Sequence, residues 1–600
     1  MHAIIIRVDE GLVKQEKERM DLLKLAYFLR AYRMECIVGP VFKLLEAIFE
    51  LLLPTMMVYV INNGVAKQNL DYVLHMGGWM LGMSVLGFGC SMVCQYFAAR
   101  ASQGFGTALR NAVFAHIQSL SHKELDQLGT ASLINRLTND VNQLQLAVAM
   151  MIRLVVRTPF ICLGAIAMAM MLDLSLSVLL WGAIPVFVLI LYLIMMRSSV
   201  LYRCYQQRLD RMAAVLRENL AGVRVIRAFA ETKREKQRFY QTKDELTETA
   251  LSIGRVSALL NPMTTFVMNA VILLILWAGA QHVEAGLLAK GEIIAYANYI
   301  TQILLVLIVI SNLVVIFTKA FASARRVNQV LETKSSLPEN PGQGTRSVLD
   351  GQAPLLSLQD VSFRYSQTGD MALSHVSVEL ARGETVGIIG STGSGKSTFV
   401  NLLPRFYDAA EGRIFVNGCD VRSWDLQELR QKFGIVPQKA VLFTGTIEEN
   451  IRWGKEDVTV NELQRALEIA QAAEFVEKLP AGIKTRVERG GQNFSGGQKQ
   501  RLTIARALAA QPEILILDDS ASALDFATDA ALRQALRRHC AEMTVILVSQ
   551  RVSSIRQADK ILVFDDGELA GCGTHEELME TSAAYREICL SQLSSEEAYA

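Results

Sequence analysis

The stretch Ile514-Leu-Ile-Leu-Asp518-Asp519-Ser-Ala-Ser-Ala-Leu-Asp525 decides the fold of the second half of the chain. Four aliphatic residues that run directly into two carboxylates are typical of a buried parallel strand with acids at its carboxyl end. Ligands of open α/β sheets bind at that end of the strands. The stretch therefore predicts an α/β domain with a ligand site at Asp518 and Asp519.

A glycine-rich stretch upstream predicts the ligand. It reads Gly390-Ser391-Thr392-Gly393-Ser394-Gly395-Lys396-Ser397-Thr398 and follows the strand-like Gly387-Ile-Ile. In such a P-loop, glycines let backbone N–H groups turn inward around phosphates, and the following helix directs its positive end toward them. We expect Lys396 to reach the β- and γ-phosphates of ATP, and Ser397 and Asp518 to bind Mg²⁺. A plain glycine turn would not require the strand, the Lys and the Ser together.

A second stretch, Ser495-Gly496-Gly497-Gln498, also suits a phosphate. A small hydroxyl and two bare backbone amides at the start of a predicted helix, Lys499–Ala509, form an anion site. One domain does not need two such sites for one nucleotide. The redundancy indicates that two domains share nucleotides between them.

Composition separates this region from the first half of the chain. The 600 residues are 51% hydrophobic and 20% charged, and a chain of this length holds more than one domain. Apolar residues concentrate in blocks close to the roughly 20 residues that cross a bilayer. The six predicted spans are Ile37–Ile61, Val73–Ala98, Val155–Leu172, Leu174–Met196, Leu260–His282 and Ile293–Phe317. A net charge of +1 without a basic, aromatic-rich stripe indicates no nucleic-acid partner.

The segments between the spans predict the orientation in the membrane. Ala99–Arg153 and Arg197–Val256 are long and rich in Arg and Lys, whereas the other connections, one of them only Asp173, are short and carry few of either. The positive-inside rule places both long stretches, both chain ends and the α/β domain in the cytoplasm. We expect the helices to continue well beyond the bilayer before they turn back in each long stretch.

The predicted fold class is an α-helical membrane domain, with six transmembrane helices and long cytoplasmic extensions, followed by an α/β P-loop ATPase domain. The predicted segments are a cytoplasmic N-terminal interfacial helix (1–33), the membrane domain (34–330), a linker (331–354), the nucleotide-binding domain (355–592) and a tail (593–600).

The order of the motifs resembles that of ATP-binding cassette (ABC) proteins. The P-loop, Gln438, Ser495-Gly-Gly-Gln, Asp518 and Ser522-Ala523-Leu524-Asp525 follow one another as in that family, and with six preceding spans the chain is similar to a half-size exporter of the multidrug type. In that family two halves pair head to tail, and each ATP lies between one P-loop and the partner's Ser-Gly-Gly-Gln. The resemblance implies an ABC transport ATPase with ATP and Mg²⁺ as cofactors.

The resemblance also implies roles for single residues. Tyr365 would stack on adenine, although an ordinary strand tyrosine is the alternative, and Gln438 would contact Mg²⁺ and sense the membrane domain. Ala115–Leu128 and Glu218–Phe229 would be coupling segments that press on the ATPase domains; from sequence alone they are solvated helix faces.

The implied ATP-binding residues are Tyr365, Gly390, Ser391, Thr392, Gly393, Ser394, Gly395, Lys396, Ser397, Thr398 and Gln438. The implied metal-binding residues are Ser397, Gln438 and Asp518. Ser495, Gly496, Gly497 and Gln498 would be the signature for the partner's site, and Ser522, Ala523, Leu524 and Asp525 the D-loop.

Two departures from the family pattern change the expected activity. The second carboxylate of the family is usually Glu, which polarises the attacking water, but here it is Asp519, one methylene shorter. The family's switch histidine is replaced by Gln550, which can hydrogen-bond but cannot carry an imidazolium's proton or charge. Together they predict a site that binds ATP and hydrolyses it poorly; a fully active variant site is the alternative.

The intact signature and the altered site together predict a heterodimer. This chain would supply Ser495 and Gly497 to a site whose catalytic Glu and His come from a second half-transporter. The implied function is ATP-driven export of amphipathic small molecules or lipids across a bacterial plasma membrane by alternating access. A homodimeric exporter and an ATP-gated or regulatory membrane protein that does not pump are the alternatives.

Charged residues inside the predicted spans give a further expectation. Glu46 and Glu50 lie in the first span, where a carboxylate is costly, so it serves function or pairs with a partner such as Lys43. Arg153 and Arg157, at the cytoplasmic end of the third span, are expected to extend to the membrane interface.

Overall fold

The computed structural model describes residue 22 and residues 24–593, apart from 287, 338–353, 367–368 and 456. Contacts define two compact units, Met1–Gln118 with Thr130–Thr333, and Ser119–Gly129 with Lys334–Ala600. Parts of three predicted segments lie outside the described residues: 1–21 and 23 of the interfacial helix, 338–353 of the linker, and 594–600 of the tail.

The first unit contains six long apolar helices, which confirms the predicted number of spans. In the described residues they are Ala26–Val65, Leu70–Ser119, Thr130–Leu172, Leu174–Ala221, Thr232–Glu284 and Lys290–Glu332, called the first to sixth spans below. The second span has 50 residues and is therefore roughly 75 Å long, against about 30 Å for the hydrocarbon core of a bilayer. The helices thus continue beyond the membrane, as predicted.

The extensions of the fourth and fifth spans pack against each other. Along the fourth and fifth spans, Arg208 Nη1 donates hydrogen bonds to the Glu245 carbonyl oxygen (2.6 Å) and to Thr249 Oγ1 (2.7 Å). The short helix Val223–Ala228 lies between the two spans. The first span ends in a π-helical turn, Val60–Val65, and two further π-helical turns, Arg136–Asp140 and Met151–Val155, interrupt the third span.

Asp173 alone joins the third and fourth spans, as the sequence indicates. Its Oδ1 accepts hydrogen bonds from the backbone N–H groups of Ser175 (2.7 Å) and Leu176 (3.1 Å), and so caps the helix that follows. Its Oδ2 lies 2.8 Å from Nδ1 of His282 on the fifth span. One carboxylate therefore ties three spans together at this turn.

Two ion pairs involve charged residues of the first and third spans. Lys43 Nζ lies 2.6 Å from Glu46 Oε2, which is the structural pairing considered above. Arg157 Nη2 donates to Glu50 Oε2 at 2.6 Å, so this ion pair joins the third span to the first. The expected extension of Arg153 and Arg157 to the membrane interface stays a prediction.

The second unit is the predicted α/β domain. Its strands are β1 (Leu356–Phe363), β2 (Leu373–Leu380), β3 (Thr385–Gly390), β4 (Glu411–Val416), β5 (Cys419–Asp420), β6 (Phe433–Val436), β7 (Gly445–Thr446), β8 (Arg486–Val487), β9 (Ile514–Asp518), β10 (Thr544–Val548), β11 (Lys560–Asp565) and β12 (Glu568–Gly573). Its described α-helices are His122–Leu128, Lys396–Leu402, Leu426–Gln431, Ile447–Arg452, Val460–Ile469, Ala473–Glu477, Gly496–Ala509, Phe526–His539, Val552–Ile555, His575–Thr581 and Ala583–Gln592.

The main sheet has the strand order β12-β11-β3-β10-β9-β6, parallel except for β12 at one edge. A smaller antiparallel sheet has the order β2-β1-β4-β5. Along β9, Ile514 and Ile516 belong to one hydrophobic core, whereas Leu515 and Leu517 belong to the other. Because both faces of the strand are covered, its sequence is continuously apolar, as the opening stretch predicted.

Candidate active site

The register of the main sheet brings the chemical motifs to one edge. Ile388 in β3 pairs with Val548 in β10, and Val548 pairs with Asp518 in β9. The P-loop after β3, the acids after β9 and the loop after β10 consequently leave the sheet side by side. This edge is where parallel α/β sheets bind ligands.

Positive backbone φ angles shape the P-loop. Gly393 and Gly395 have φ values of 87° and 96°, in the left-handed region that favours glycine. A Cβ atom at Gly395 would also lie 2.7 Å from the carbonyl oxygen of Ala372. Lys396 begins the helix after the loop, and its Nζ donates to the carbonyl oxygens of Gly390 (2.9 Å) and Ser391 (2.6 Å). The ammonium group is thus held within the loop that would surround the phosphates.

Two side-chain oxygen atoms that could bind Mg²⁺ lie close together beside the P-loop. Ser397 Oγ donates to Asp518 Oδ1 over 3.3 Å, a spacing that two ligands of one Mg²⁺ ion can adopt. Burial raises the pKa of Asp518, and the neighbouring Asp519 raises it further. Burial lowers the pKa of Lys396, an effect that both acids oppose. A bound cation would compensate the two adjacent carboxylates, so these residues fit the ion that the sequence predicts.

Asp519 has a strained backbone and a polar neighbour. Its φ is 47°, in the left-handed region that Asp tolerates better than most residues, and its N–H donates to the carbonyl oxygen of Val548 (2.9 Å). Its Oδ2 accepts a hydrogen bond from Gln438 Nε2, 3.3 Å away. Two residues that are far apart in sequence are therefore together at the predicted site. Gln550, in the switch position, is exposed and lies in the loop that follows β10. The preceding residue, Ser549, donates from its N–H to the carbonyl oxygen of Ile388 (3.0 Å).

An aromatic cluster lies beside the P-loop. The Tyr365 side chain is 47% exposed, which leaves ring surface for a base, and its hydroxyl lies 3.1 Å from Thr398 Oγ1. The Tyr407 ring stands edge-on to it at a centroid distance of 5.4 Å. The Tyr407 hydroxyl donates to Asp126 Oδ2 over 2.6 Å. Tyr407 could not be predicted from the sequence, because no periodicity or motif connects it with Tyr365 or with Asp126.

The first predicted coupling segment belongs in part to this unit. Its helix, His122–Leu128, packs on the α/β domain, and the His122 ring stacks on Phe406 at a centroid distance of 4.4 Å. Burial and the nearby Arg430 lower the pKa of His122. The second predicted segment contains the helix Val223–Ala228 of the first unit, and the side chain of the adjacent Phe229 is 75% exposed.

The predicted signature caps a helix. Ser495 Oγ accepts from the Gln498 N–H (3.3 Å), and Gln498 Oε1 accepts from the Ser495 N–H (2.9 Å), so the two residues form a capping box at the start of Gly496–Ala509. Ser495 and Gly496 are exposed. A Cβ atom at Gly497 would lie 3.1 Å from the carbonyl oxygen of Ala523, so this glycine permits close contact with the predicted D-loop.

Hydrogen bonds connect the D-loop to Asp519 before it and to the helix after it. Ser522 Oγ donates to the carbonyl oxygen of Asp519 (2.8 Å), and Leu524 is buried. Asp525 Oδ1 accepts from the Thr528 N–H (2.9 Å) and so begins the helix Phe526–His539, and these hydrogen bonds lower the pKa of Asp525. The described residues include no group of three or more His, Cys, Asp or Glu arranged to hold a metal. Mg²⁺ at this edge would be held by Ser397, Gln438 and Asp518 together with the phosphates.

Both halves of the chain are similar to known ABC transporters. Residues 36–308 match the family described as the ABC transporter transmembrane region, and residues 373–522 match the family described as ABC transporter. The chain is 38% identical, over 570 residues, to an uncharacterized ABC transporter ATP-binding protein of Bacillus subtilis (95% of this chain and 98% of that one). It is 29% identical, over 562 residues, to the ATP-dependent lipid A-core flippase of Vibrio vulnificus (94% and 96%). The solved structure of a bacterial Atm1-family ABC exporter with ATP bound is similar with a TM-score of 0.77 and 25% identity, covering 94% of this chain and all of that one.

Proposed function

Because this chain belongs to the ABC transporter family, as a half-transporter with a transmembrane region and a transport ATPase domain, we propose that it is the hydrolysis-impaired subunit of a heterodimeric exporter. The observation that carries the proposal is the pair Asp519 and Gln550 at the edge of the main sheet that also carries an intact P-loop. One altered residue would be compatible with full activity, but here Asp519 and Gln550, which the family resemblance assigns to the attacking water and the γ-phosphate, both depart from the family pattern.

The backbone geometry of Asp519 supports the proposal that it is a weak substitute for Glu. Its backbone is fixed by the hydrogen bond to Val548 and by the left-handed φ, so the reach of its carboxylate depends on side-chain length. The missing methylene sets the oxygens back by about 1.5 Å, and a misplacement of about 1 Å can cost roughly a hundredfold in rate. Gln438 further holds the carboxylate by donating to Oδ2. The residues of this site would therefore bind ATP and position it without efficient activation of water.

The nucleotide would be held by residues on both sides of the phosphates. Lys396 and the P-loop N–H groups would bind the phosphates, Tyr365 would stack on adenine, and Ser397, Asp518 and Gln438 would hold Mg²⁺. Mg²⁺, when bound, neutralises phosphate charge. Closure of two such domains on ATP would bury the nucleotide and turn the membrane cavity outward, and hydrolysis in the partner's site would allow it to reopen.

The exposed signature suits a role toward a partner. Ser495 and Gly496 are exposed at the start of a helix with its cap intact, so their groups are available to a nucleotide on another chain. The partner should carry the Glu and His that are missing here. Two copies of this chain would instead combine two weak sites.

We assign the substrate to amphipathic small molecules or lipids and the location to a bacterial plasma membrane, with both termini and the ATPase domain in the cytoplasm. The similarity to a flippase supports the substrate class, and the Arg- and Lys-rich long connections support the orientation.

Transport by inverted membrane vesicles tests the proposal. We would co-express the chain with candidate half-transporters and measure ATP-dependent accumulation of a fluorescent amphipathic dye and of a short-chain fluorescent phospholipid. We expect accumulation with one partner and none with this chain alone. Accumulation by the chain alone would favour the homodimer, and ATP binding without accumulation with any partner would favour a protein that does not pump.

A further inference from the structure

One side chain from the last described helix bonds the loop that carries Gln550. We call Ser549–Val552 the switch loop. Gln592, which ends the helix Ala583–Gln592, donates from Nε2 to the carbonyl oxygen of Gln550 (2.7 Å). Its Oε1 accepts from the N–H of Val552 (3.0 Å). A single amide therefore bonds the backbone on both sides of Arg551.

The chemistry of this contact is specific to the amide group. Backbone groups of a loop have no partner in a strand ladder and need one elsewhere. An amide side chain offers a donor and an acceptor in one plane, and these match the carbonyl and N–H groups that the loop presents. The opposite orientation of the amide would set donor against donor and acceptor against acceptor, so only one orientation satisfies both bonds.

The switch loop is held on its other sides as well. The N–H of Ser549 donates to the carbonyl oxygen of Ile388 (3.0 Å), in the strand that leads into the P-loop. The Arg551 guanidinium lies over the ring of Phe526, 4.9 Å from its centroid, directly after the D-loop. Gln550 is the residue between the Ser549 anchor and the contacts of Arg551, so the Gln592 bonds complete the restraint on its backbone.

We propose that Gln592 is a positioning residue: its amide fixes the backbone from which the Gln550 side chain reaches the γ-phosphate of ATP. The inference rests on the proposed role of Gln550. The helix Ala583–Gln592 would then contribute to ATP binding indirectly, through the switch loop. Loss of the Gln592 amide should weaken the binding of ATP and not of ADP, because ADP has no γ-phosphate for the switch loop to contact.

The test compares MgATP with MgADP. Gln592→Met keeps the length of the side chain and removes both hydrogen bonds. We would measure the two dissociation constants on the purified full-length chain, by competition with a fluorescent ATP analogue. We expect MgATP binding to weaken by about threefold to tenfold, the value of one or two hydrogen bonds, and MgADP binding to be unchanged. Ser591→Ala is the matched control, because Ser591 Oγ bonds only within its own helix, to the carbonyl oxygen of Ile588 (2.8 Å).

Further variants separate this inference from the function on which it rests. If Gln592→Met weakens the binding of MgATP and MgADP equally, or leaves the binding of both unchanged, Gln592 does not position the loop. If Gln550→Ala weakens MgATP binding while Gln592→Met does not, the role of Gln550 stands and that of Gln592 fails; if neither weakens it, both fail. In the double variant we expect no additional loss, because both substitutions act on one contact, and full additivity would contradict the proposal.

Discussion

Gln438 donates a hydrogen bond from Nε2 to Oδ2 of Asp519 across 3.3 Å, at the edge where β6 and β9 end side by side. The contact joins the residue expected to sense the membrane domain to the residue in the position of the catalytic glutamate. Because Asp519 is short and its backbone is fixed, Gln438 holds its carboxylate close to the sheet. A glutamate at the same position would carry its carboxylate one methylene further from the backbone.

Restoring both family residues should raise the hydrolytic rate of this site. We expect Asp519→Glu combined with Gln550→His to increase ATP turnover by the purified chain at least tenfold, because the carboxylate moves forward by about 1.5 Å toward the attacking water. Asp565→Glu is the control, since Asp565 also ends a strand of the main sheet and is exposed. Turnover that stays at the starting level would show that the two residues do not limit the reaction.

Removing the Tyr365 ring should weaken the binding of nucleotides but not of phosphate chains. Stacking contributes about 0.5–1.5 kcal/mol, so Tyr365→Ala should weaken MgATP binding by roughly twofold to tenfold, and Tyr365→Trp should retain it. Inorganic tripolyphosphate has no base and should bind equally to all three proteins. If the alanine variant lost affinity for tripolyphosphate as strongly as for ATP, the ring would serve the fold instead of the base.

The hydrogen bond from Tyr407 to Asp126 should stabilise the docking of the helix His122–Leu128. A tyrosine hydroxyl is protonated at neutral pH and can donate, and burial and the nearby Asp126 raise the pKa of Tyr407 further from that range. Because the Asp126 side chain is exposed, we expect Tyr407→Phe to remove about 0.5–1.5 kcal/mol, the usual net value of a hydrogen bond. Hydrogen exchange of the backbone amides of this helix should accelerate accordingly.

Tyr240→Phe, at an exposed tyrosine of the fifth span, is the control for this measurement. Unchanged exchange of the helix in Tyr407→Phe would mean that the stacking of His122 on Phe406 holds the helix without the hydrogen bond.

The turn at Asp173 should lose stability in acid. Burial raises the pKa of Asp173, but hydrogen bonds from His282, Ser175 and Leu176 outweigh this and lower it to about 2. Because the pKa is lower in the folded chain than the usual value of about 3.9, the stabilising contribution is complete above that pH and is lost as the pH falls toward 2.

The unfolding temperature of the detergent-solubilised chain measures this effect. Asp173→Asn should lower it at pH 6, and the difference from the wild type should shrink between pH 4 and pH 2.5. The exposed Asp71, replaced by Asn, should give no such pattern. A difference that stays constant across this range would exclude Asp173 as its source.

The sequence predicted best what depends on local backbone chemistry. The six spans and the strand Ile514–Asp518 follow from apolar length and continuity, and the glycine pattern of the P-loop follows from the left-handed φ angles that the turn requires. The ligand roles of these residues stay predictions.

Contacts between distant segments could not be predicted. Nothing in the sequence near Tyr407 indicates Asp126, and Gln592 lies outside every motif although it bonds the switch loop. The ion pair of Arg157 with Glu50 likewise joins two spans that no local pattern connects. In each case packing of separate elements, and not local propensity, determines the partner.

The measurement that tests the central claim most directly is ATP turnover by the purified chain alone and in complex with its partner half-transporter, with and without Asp519→Asn. The account predicts low turnover for the chain alone, a large increase in the complex, and little effect of Asp519→Asn on the complex, because the partner's carboxylate activates the water. Rapid turnover by the chain alone that Asp519→Asn abolishes would contradict it, and Asp519 would then be the catalytic base of a homodimeric pump.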